Sequence, residues 1–285
     1  MPSAPLLEVL ISTKGGDGIK RIASSSHPSV PGVRYVVSWQ EGKPELFPES
    51  LAVRPDFKII YADSVGLSKN RNNALKHAEA PIVLISDDDL EYSERHLENV
   101  ISAFSENPDL SVLTFRYESS DFPRCYPSNE FDLHNPPKGY FAVSFEIALN
   151  LKRIKEEMGQ DVIPLFNENF GLGAMFGSGE EDLLIYNLMR SGLRGKFVPR
   201  DVCIHNGPTT GIKEKYSPGF IQTQGAVVSH LRPVSWPLRL FLYALRHAAD
   251  RDSPIGFFGY MSQFIKGVVK AKRNRVFTVK TFSHK

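Results

Sequence analysis

The chain has 285 residues, 41% hydrophobic and 23% charged, with 34 basic against 32 acidic side chains and a formal net charge of +2. That length fits one sizeable domain with extensions, or a domain plus a small second unit, and the balanced charge removes the electrostatic argument for a nucleic-acid partner. Two cysteines, Cys125 and Cys203, lie far apart without metal-ligand spacing, an arrangement that suits a reducing compartment.

The first residues, MPSAPLLEVLISTKGGDGIKRIASS, lack the charged start and long apolar core of a secretory signal, so the expectation is a cytoplasmic catalytic part. Leu6 to Thr13 reads as the first strand. Gly15, Gly16 and Gly18 punctuate its exit as a plain turn, since the full spacing of a dinucleotide fingerprint is absent. Val33 to Trp39 and Phe57 to Ala62 read as the second and third strands, joined by a proline-rich connection without periodicity. Ser68 is placed to cap a helix whose apolar face is Ala74, Leu75 and Ala78 and whose first turns carry Lys69, Arg71, Asn72 and Asn73.

The run Ile82-Val83-Leu84-Ile85 is short, uninterrupted and β-branched, as in a strand buried on both faces of a mostly parallel sheet. It delivers Asp87, Asp88 and Asp89 to the crevice beyond the strand ends, where open α/β sheets bind ligands. Three adjacent carboxylates repel one another unless a cation or hydrogen-bonded ligand offsets them, and Mg²⁺ takes one or two carboxylates together with substrate phosphates. An acid-rich turn that merely ends a strand in solvent is the competing reading. The donor-rich helix start one element earlier favours a nucleotide.

Beyond the aspartates, Ser93 caps a predicted helix through Asn107, and Leu110 to Tyr117 returns as a strand. Residues 118–140 are loop-like, and Arg124, Tyr126 and His134 read as ordinary surface-loop side chains in preference to acceptor contacts. Phe141 to Phe145 is expected as a short strand, followed by a helix on Ile147, Leu149, Leu151 and Ile154. Four glycines then precede Glu180, Glu181 and Asp182, with a helix on Leu184, Ile185 and Leu188 closed by Gly192. Alone, these acids read as structural, because Ser178 and Glu181 fit a capping box and first-turn acids complement the helix dipole. Phe197 to Ile204 reads as a strand that exits at His205.

The segment Gly66-Leu-Ser-Lys-Asn-Arg-Asn-Asn-Ala, followed after a short helix by Pro-Ile-Val-Leu-Ile-Ser-Asp-Asp-Asp, resembles the nucleotide-sugar half of family-two glycosyltransferases. These are GT-A fold enzymes, generally inverting. The resemblance covers residues 6 to 210. It implies an α/β GT-A (Rossmann-like) fold, with a mostly parallel sheet flanked by helices. The catalytic domain would span 1–210, divided into a nucleotide-binding half, 1–117, and an acceptor-binding half, 118–210.

The same resemblance implies nucleotide-sugar contacts at Thr13, Asp63, Lys69, Arg71, Asn72, Asp87 and Asp88, and a Mn²⁺ or Mg²⁺ held by Asp87, Asp89 and His205. Asp182 becomes the general base with Glu181 its neighbour, although the Glu-Glu-Asp run leaves Glu181 open as the base. The implied activity moves a sugar, from a UDP-sugar by preference, to a hydroxyl of a glycan or lipid-linked acceptor in cell-surface polysaccharide or glycolipid synthesis. A sugar nucleotidyltransferase and a non-catalytic nucleotide-sugar binding module are the alternatives.

Residues 211–285 form the helical, basic extension outside the resemblance. Trp236 begins an amphipathic helix and Ile255 to Val269 is a second apolar segment. Neither reaches about 18 uninterrupted apolar residues, so no spanning helix is expected. Lys266, Lys270, Lys272, Arg273 and Arg275 gather beside the second segment. Two readings stay open: packing against the catalytic domain or a second subunit, or peripheral contact with the inner face of the plasma membrane.

Overall fold

The structure is a computed structural model that describes residues 5–277. An eight-stranded sheet runs in the order β3-β2-β1-β4-β7-β5-β8-β6. Its first half comprises β1 (Leu7–Lys14), α1 (Gly15–Ser24), β2 (Val33–Gln40), α2 (Glu49–Ala52), β3 (Phe57–Ala62), α3 (Leu67–Lys76) and β4 (Ile82–Asp87). The second half comprises α4 (Glu94–Glu106), β5 (Val112–Glu118), β6 (Phe131–Asp132), β7 (Ile147–Asn150), α5 (Leu151–Met158), α6 (Glu180–Arg190) and β8 (Gly195–Ile204). Four helices follow: α7 (Thr210–Lys213), α8 (Pro218–Leu231), α9 (Trp236–Ala249) and α10 (Phe257–Arg273).

The strands β3, β2, β1 and β4 are parallel, whereas β7 runs antiparallel between β4 and β5. The sheet is therefore mixed. Alternation explains why both faces are covered: Val9 and Ile11 of β1 enter one apolar cluster, and Leu10 enters the opposite one with Val36, Val83 and Ile85. Successive strand side chains point to opposite faces, so each fully buried β-branched residue contributes about 1.5–3 kcal/mol on its own side.

Three local expectations give way. Gly15 to Gly18 open α1 instead of forming a plain turn. Phe141 to Val143 is irregular and Ser144–Glu146 is a 3-10 turn, so the strand expected there is displaced to Ile147–Asn150, and the helix begins only at Leu151. The Ser178–Glu181 capping box is absent, because the N-cap of α6 is Gly179 in the left-handed region, without a side-chain cap. A Cβ at Gly179 would also meet Val227 Cγ2 of α8 at 2.8 Å, so glycine serves both the backbone conformation and the close approach.

The last helices pack on this scaffold. Leu183 of α6, Phe170 and Phe176 share a cluster with Ala226 and Val227 of α8 and Ala271 of α10. Gly225 and Gly267 allow α8 and α10 to cross at backbone contact, since a Cβ on either would collide with the other helix's carbonyl row. Among the described residues, no helix is long and apolar enough to cross a membrane.

Candidate active site

The chain leaves β1 toward β2 and β3 on one side and reaches β4 on the other, so the carboxyl ends of β1 and β4 flank a topological switch point. Such crevices receive ligands in open α/β sheets. Thr13 at the end of β1 donates its hydroxyl to Asp88 Oδ2 at 2.6 Å, and Arg21 of α1 donates two hydrogen bonds to Asp88 Oδ1 at 3.0 and 2.8 Å. Burial raises the Asp88 carboxyl above its usual value, opposed by Thr13 and Arg21. Asn70 joins the network through Nδ2, which donates to the Thr13 carbonyl at 3.0 Å.

Gly18 sits against this pair: a Cβ there would collide with Thr13 Oγ1 and lie 2.6 Å from Asp88 Oδ2. Gly18→Ala is therefore expected to cost about 1–3 kcal/mol of stability by overpacking, read in urea unfolding, and to weaken nucleotide binding in calorimetry. Gly16→Ala, whose Cβ meets only the flexible end of Leu46 at 3.1 Å, is the control that should change neither.

Arg71 is the centre of the second cluster. Its side chain is 2% exposed. Nη2 donates to Asp87 Oδ1 at 2.9 Å and to Ser144 Oγ at 2.7 Å, while Nη1 donates to Glu180 Oε1 at 2.8 Å. Glu181 Oε1 lies 3.8 Å from Nη1. The planar guanidinium suits this duty, because its fork holds several acceptors at fixed angles. One cation thus joins the end of β4 to the first turn of α6.

Glu180 is buried and spent on Arg71, whereas Glu181 is partly open. Burial first, then the charge of Glu180, pushes the Glu181 carboxyl well above its ordinary value, with Arg71 pulling the other way. Desolvation, then Glu180, also pushes Asp182 up to about 6, but that side chain is open to solvent, which screens most of such an effect.

Asp89 Oδ2 and His205 Nε2 lie 3.5 Å apart at the exit of β8. Burial works to raise Asp89, but the hydrogen bond and charge of His205 outweigh it and hold the carboxyl below its usual range. The His205 ring is buried between Tyr117 and Phe145, and its Nδ1 has no hydrogen-bond partner among the described residues. A carboxylate and an imidazole at this separation can both reach one small divalent cation at about 2.1 Å. The pair therefore fits part of a metal site. Asp87 is engaged by Arg71 and is not joined to it, and among the described residues no three His, Cys, Asp or Glu side chains form a ready cage.

The remaining predicted positions lie elsewhere. Asn72 anchors the backbone of Phe166, donating to its carbonyl at 2.9 Å and accepting from its amide at 3.0 Å. Asp63 and Lys69 are exposed at the rim. Ser68 does not cap α3; Gly66 is its N-cap, and the Ser68 hydroxyl donates to the Phe170 carbonyl at 2.6 Å. Arg124 and Tyr126 are anchors of the 118–143 loop: Arg124 donates to both oxygens of buried Glu146 at 2.9 and 3.0 Å, and Tyr126 donates to the same carboxylate. Burial pushes Glu146 up to about 7 against these partners. Sequence reasoning missed Arg21, Ser144 and Glu180; of these only Glu180 carried a local signal, as the first acid of its run.

The Glycosyl transferase family 2 model matches residues 49–170, which hold α3, β4 and the aspartates. No curated protein matches the chain. Among solved structures, residues 1–349 of TarS from S. aureus in complex with UDP-GlcNAc are similar at 15% identity and a TM-score of 0.57, over 96% of this chain and 93% of that one. The mannosyltransferase PcManGT from Pyrobaculum calidifontis, in complex with GDP-Man and Mn²⁺, is similar at 14% identity and a TM-score of 0.52, over 95% of this chain and 76% of that one. At such identities the likeness speaks for the fold. The family match falls on the segment that carries Arg71 and the three aspartates, so residues 49–170 are similar to family-two glycosyltransferases and sit in a chain that shares the fold of solved glycosyltransferases.

Proposed function

We propose that the protein transfers a sugar, with inversion and with a divalent metal, from a nucleoside-diphosphate sugar to an acceptor hydroxyl, and that Glu181 is the general base. One observation carries the reading: Arg71 binds the end of β4 and the start of α6 at once. A donor site and a base separated by nearly a hundred residues in sequence thereby share one rigid junction. Glu181 is preferred to Asp182 because it faces the Arg71 cluster, whereas Asp182 lies on the solvent side of the same turn.

In this reading the acceptor oxygen attacks the anomeric carbon as its bond to the diphosphate oxygen breaks, and Glu181 takes the hydroxyl proton. The transition state has oxocarbenium character, as in glycoside hydrolysis. One base suffices for inversion, so no protein nucleophile is needed. Asp89 and His205 would hold the metal, whose chemistry is to stabilise charge on the leaving diphosphate. Thr13, Asp88 and Arg21 would order the nucleotide side. UDP is the favoured carrier, supported by the UDP-GlcNAc complex of the similar TarS fold. The acceptor in this reading is a glycan or lipid-linked hydroxyl, as in cell-surface polysaccharide or glycolipid synthesis. The nucleotidyltransferase alternative loses its support, because the residues that would form its phosphate loop are wound into α1.

Thermal-shift binding of UDP and GDP, each with and without Mn²⁺ or Mg²⁺, tests this. A nucleotide at about 100-fold its Kd adds about 2.7 kcal/mol, several degrees of Tm. The expected shift with one nucleotide requires metal and disappears in Asp89→Ala. A shift of equal size without metal, retained in that variant, would remove the metal-diphosphate site from the reading.

A further inference from the structure

We propose that the outward faces of α9 and α10 form a docking surface for an anionic lipid bilayer, on which the protein lies without crossing it. On α9, Leu238, Phe241, Leu242 and Leu245 recur at helical spacing and are 63%, 47%, 52% and 46% exposed, while Leu240 and Ala244 on the opposite face are buried. A row of this kind on a helix already packed by its other face has no use within the fold. Phe241 meets Phe257 at 5.7 Å, and Phe257 meets Phe258, which is 82% exposed at the start of α10. Ile265 and Val269 follow Phe258 seven and eleven residues on, hence on the same face, and both are exposed.

The charge around this patch selects the occupant. After Glu214 the chain holds twelve Lys and Arg but only Asp250 and Asp252, so residues 215–285 carry a net +10 while residues 1–214 carry a net −8. Asp250 is itself engaged by Lys215. A shallow groove of about 500 Å³ along α10 combines Ile265 and Val269 with Lys266, Lys270 and Arg273. An apolar row bordered by cations matches acyl chains beneath anionic headgroups. A second copy meeting this face with its own would instead set like charge against like charge. The surface is also tied to the site: Lys270 donates to the Met175 carbonyl at 3.0 Å and lies over the Phe176 ring at 5.0 Å, in the loop that leads to Glu181.

The test uses the full chain and co-sedimentation with vesicles of phosphatidylcholine alone, or of phosphatidylcholine with about one third phosphatidylglycerol. The expected result is binding to the anionic vesicles that falls with added salt, and little binding to neutral ones. Leu238→Gln/Phe241→Gln/Leu245→Gln should abolish it, and Lys266→Ala/Arg273→Ala should weaken it about 25-fold, since each cation near the surface contributes about fivefold. Thermal-shift binding of UDP with Mn²⁺, unchanged in both variants, shows that they are folded. Equal binding to neutral vesicles, no binding, or anionic binding that survives the triple substitution overturns the proposal. So does a wild-type dimer, seen in sedimentation velocity, that the triple substitution splits; the row would then belong to a second copy.

Discussion

Arg71→Met is expected to cost about 3–5 kcal/mol of stability and to abolish transfer. The guanidinium is buried against Glu180, whose side chain is 4% exposed, and it also engages Asp87 and Ser144. Removing one partner of a buried ion pair leaves an uncompensated charge, which costs about 3–5 kcal/mol, a large part of the roughly 5–15 kcal/mol that holds a domain together. Arg71→Lys keeps a charge but loses the fork, so it should satisfy one carboxylate and leave the other without its bond. Urea unfolding separates these outcomes. The double variant Arg71→Met/Glu180→Gln should recover part of the lost stability, because both halves of the pair are gone, yet recover no activity, because the end of β4 is then no longer tied to α6. A single Arg71→Met variant with unchanged unfolding would show that the clasp carries no load.

That clasp also marks the limit of what the sequence discloses. The strands β1, β2 and β4 are readable because their apolar runs are covered on both faces, and the acids beyond β4 follow from where the strand must end. Ser93 caps α4 as its position suggests, although the reciprocal partner at the fourth position is His96 where a glutamate is customary. The reading fails where a tertiary partner outbids a local one. Ser68 and Ser178 each stand at a helix start, yet Ser68 spends its hydroxyl on Phe170, 102 residues away, and α6 is capped by Gly179.

The segment from Ile147 fits a strand period through Leu151 and a helical period through Ile154, so periodicity alone cannot divide it. The open position between β4 and β5 decides for a strand. Arg21 and Ser144 carry no local signal, because their meaning lies in partners 67 and 57 to 73 residues distant. The helix α8 did leave one sign, Ser217 followed by Pro218 at its first position, the pairing expected of a helix start.

Glu181→Gln is expected to lower kcat by about 10²–10⁴, the usual worth of a general base, while raising stability at neutral pH. The second half of that statement distinguishes a base from a structural acid. The folded-state pKa of Glu181 is raised by burial and by Glu180, so between its unfolded and folded values the native protein binds more protons than the unfolded chain. The group's favourable contribution is complete below the unfolded value and is lost as pH rises through the folded one. Above that point ionised Glu181 is a cost, which the amide removes.

Activity follows the opposite sign, because only the carboxylate accepts a proton: kcat should rise with pH through the raised Glu181 value and fall away on its acid side. In Glu181→Gln that limb should vanish with the activity, while thermal unfolding at pH 7–8 moves upward. Asp182→Asn is the companion measurement. Its side chain is open to solvent and makes no contact with Arg71, so kcat and its acid limb should persist nearly unchanged. If instead Asp182→Asn removes the limb and Glu181→Gln preserves it, the base is Asp182, and Glu181 serves only to complete the charge around Arg71.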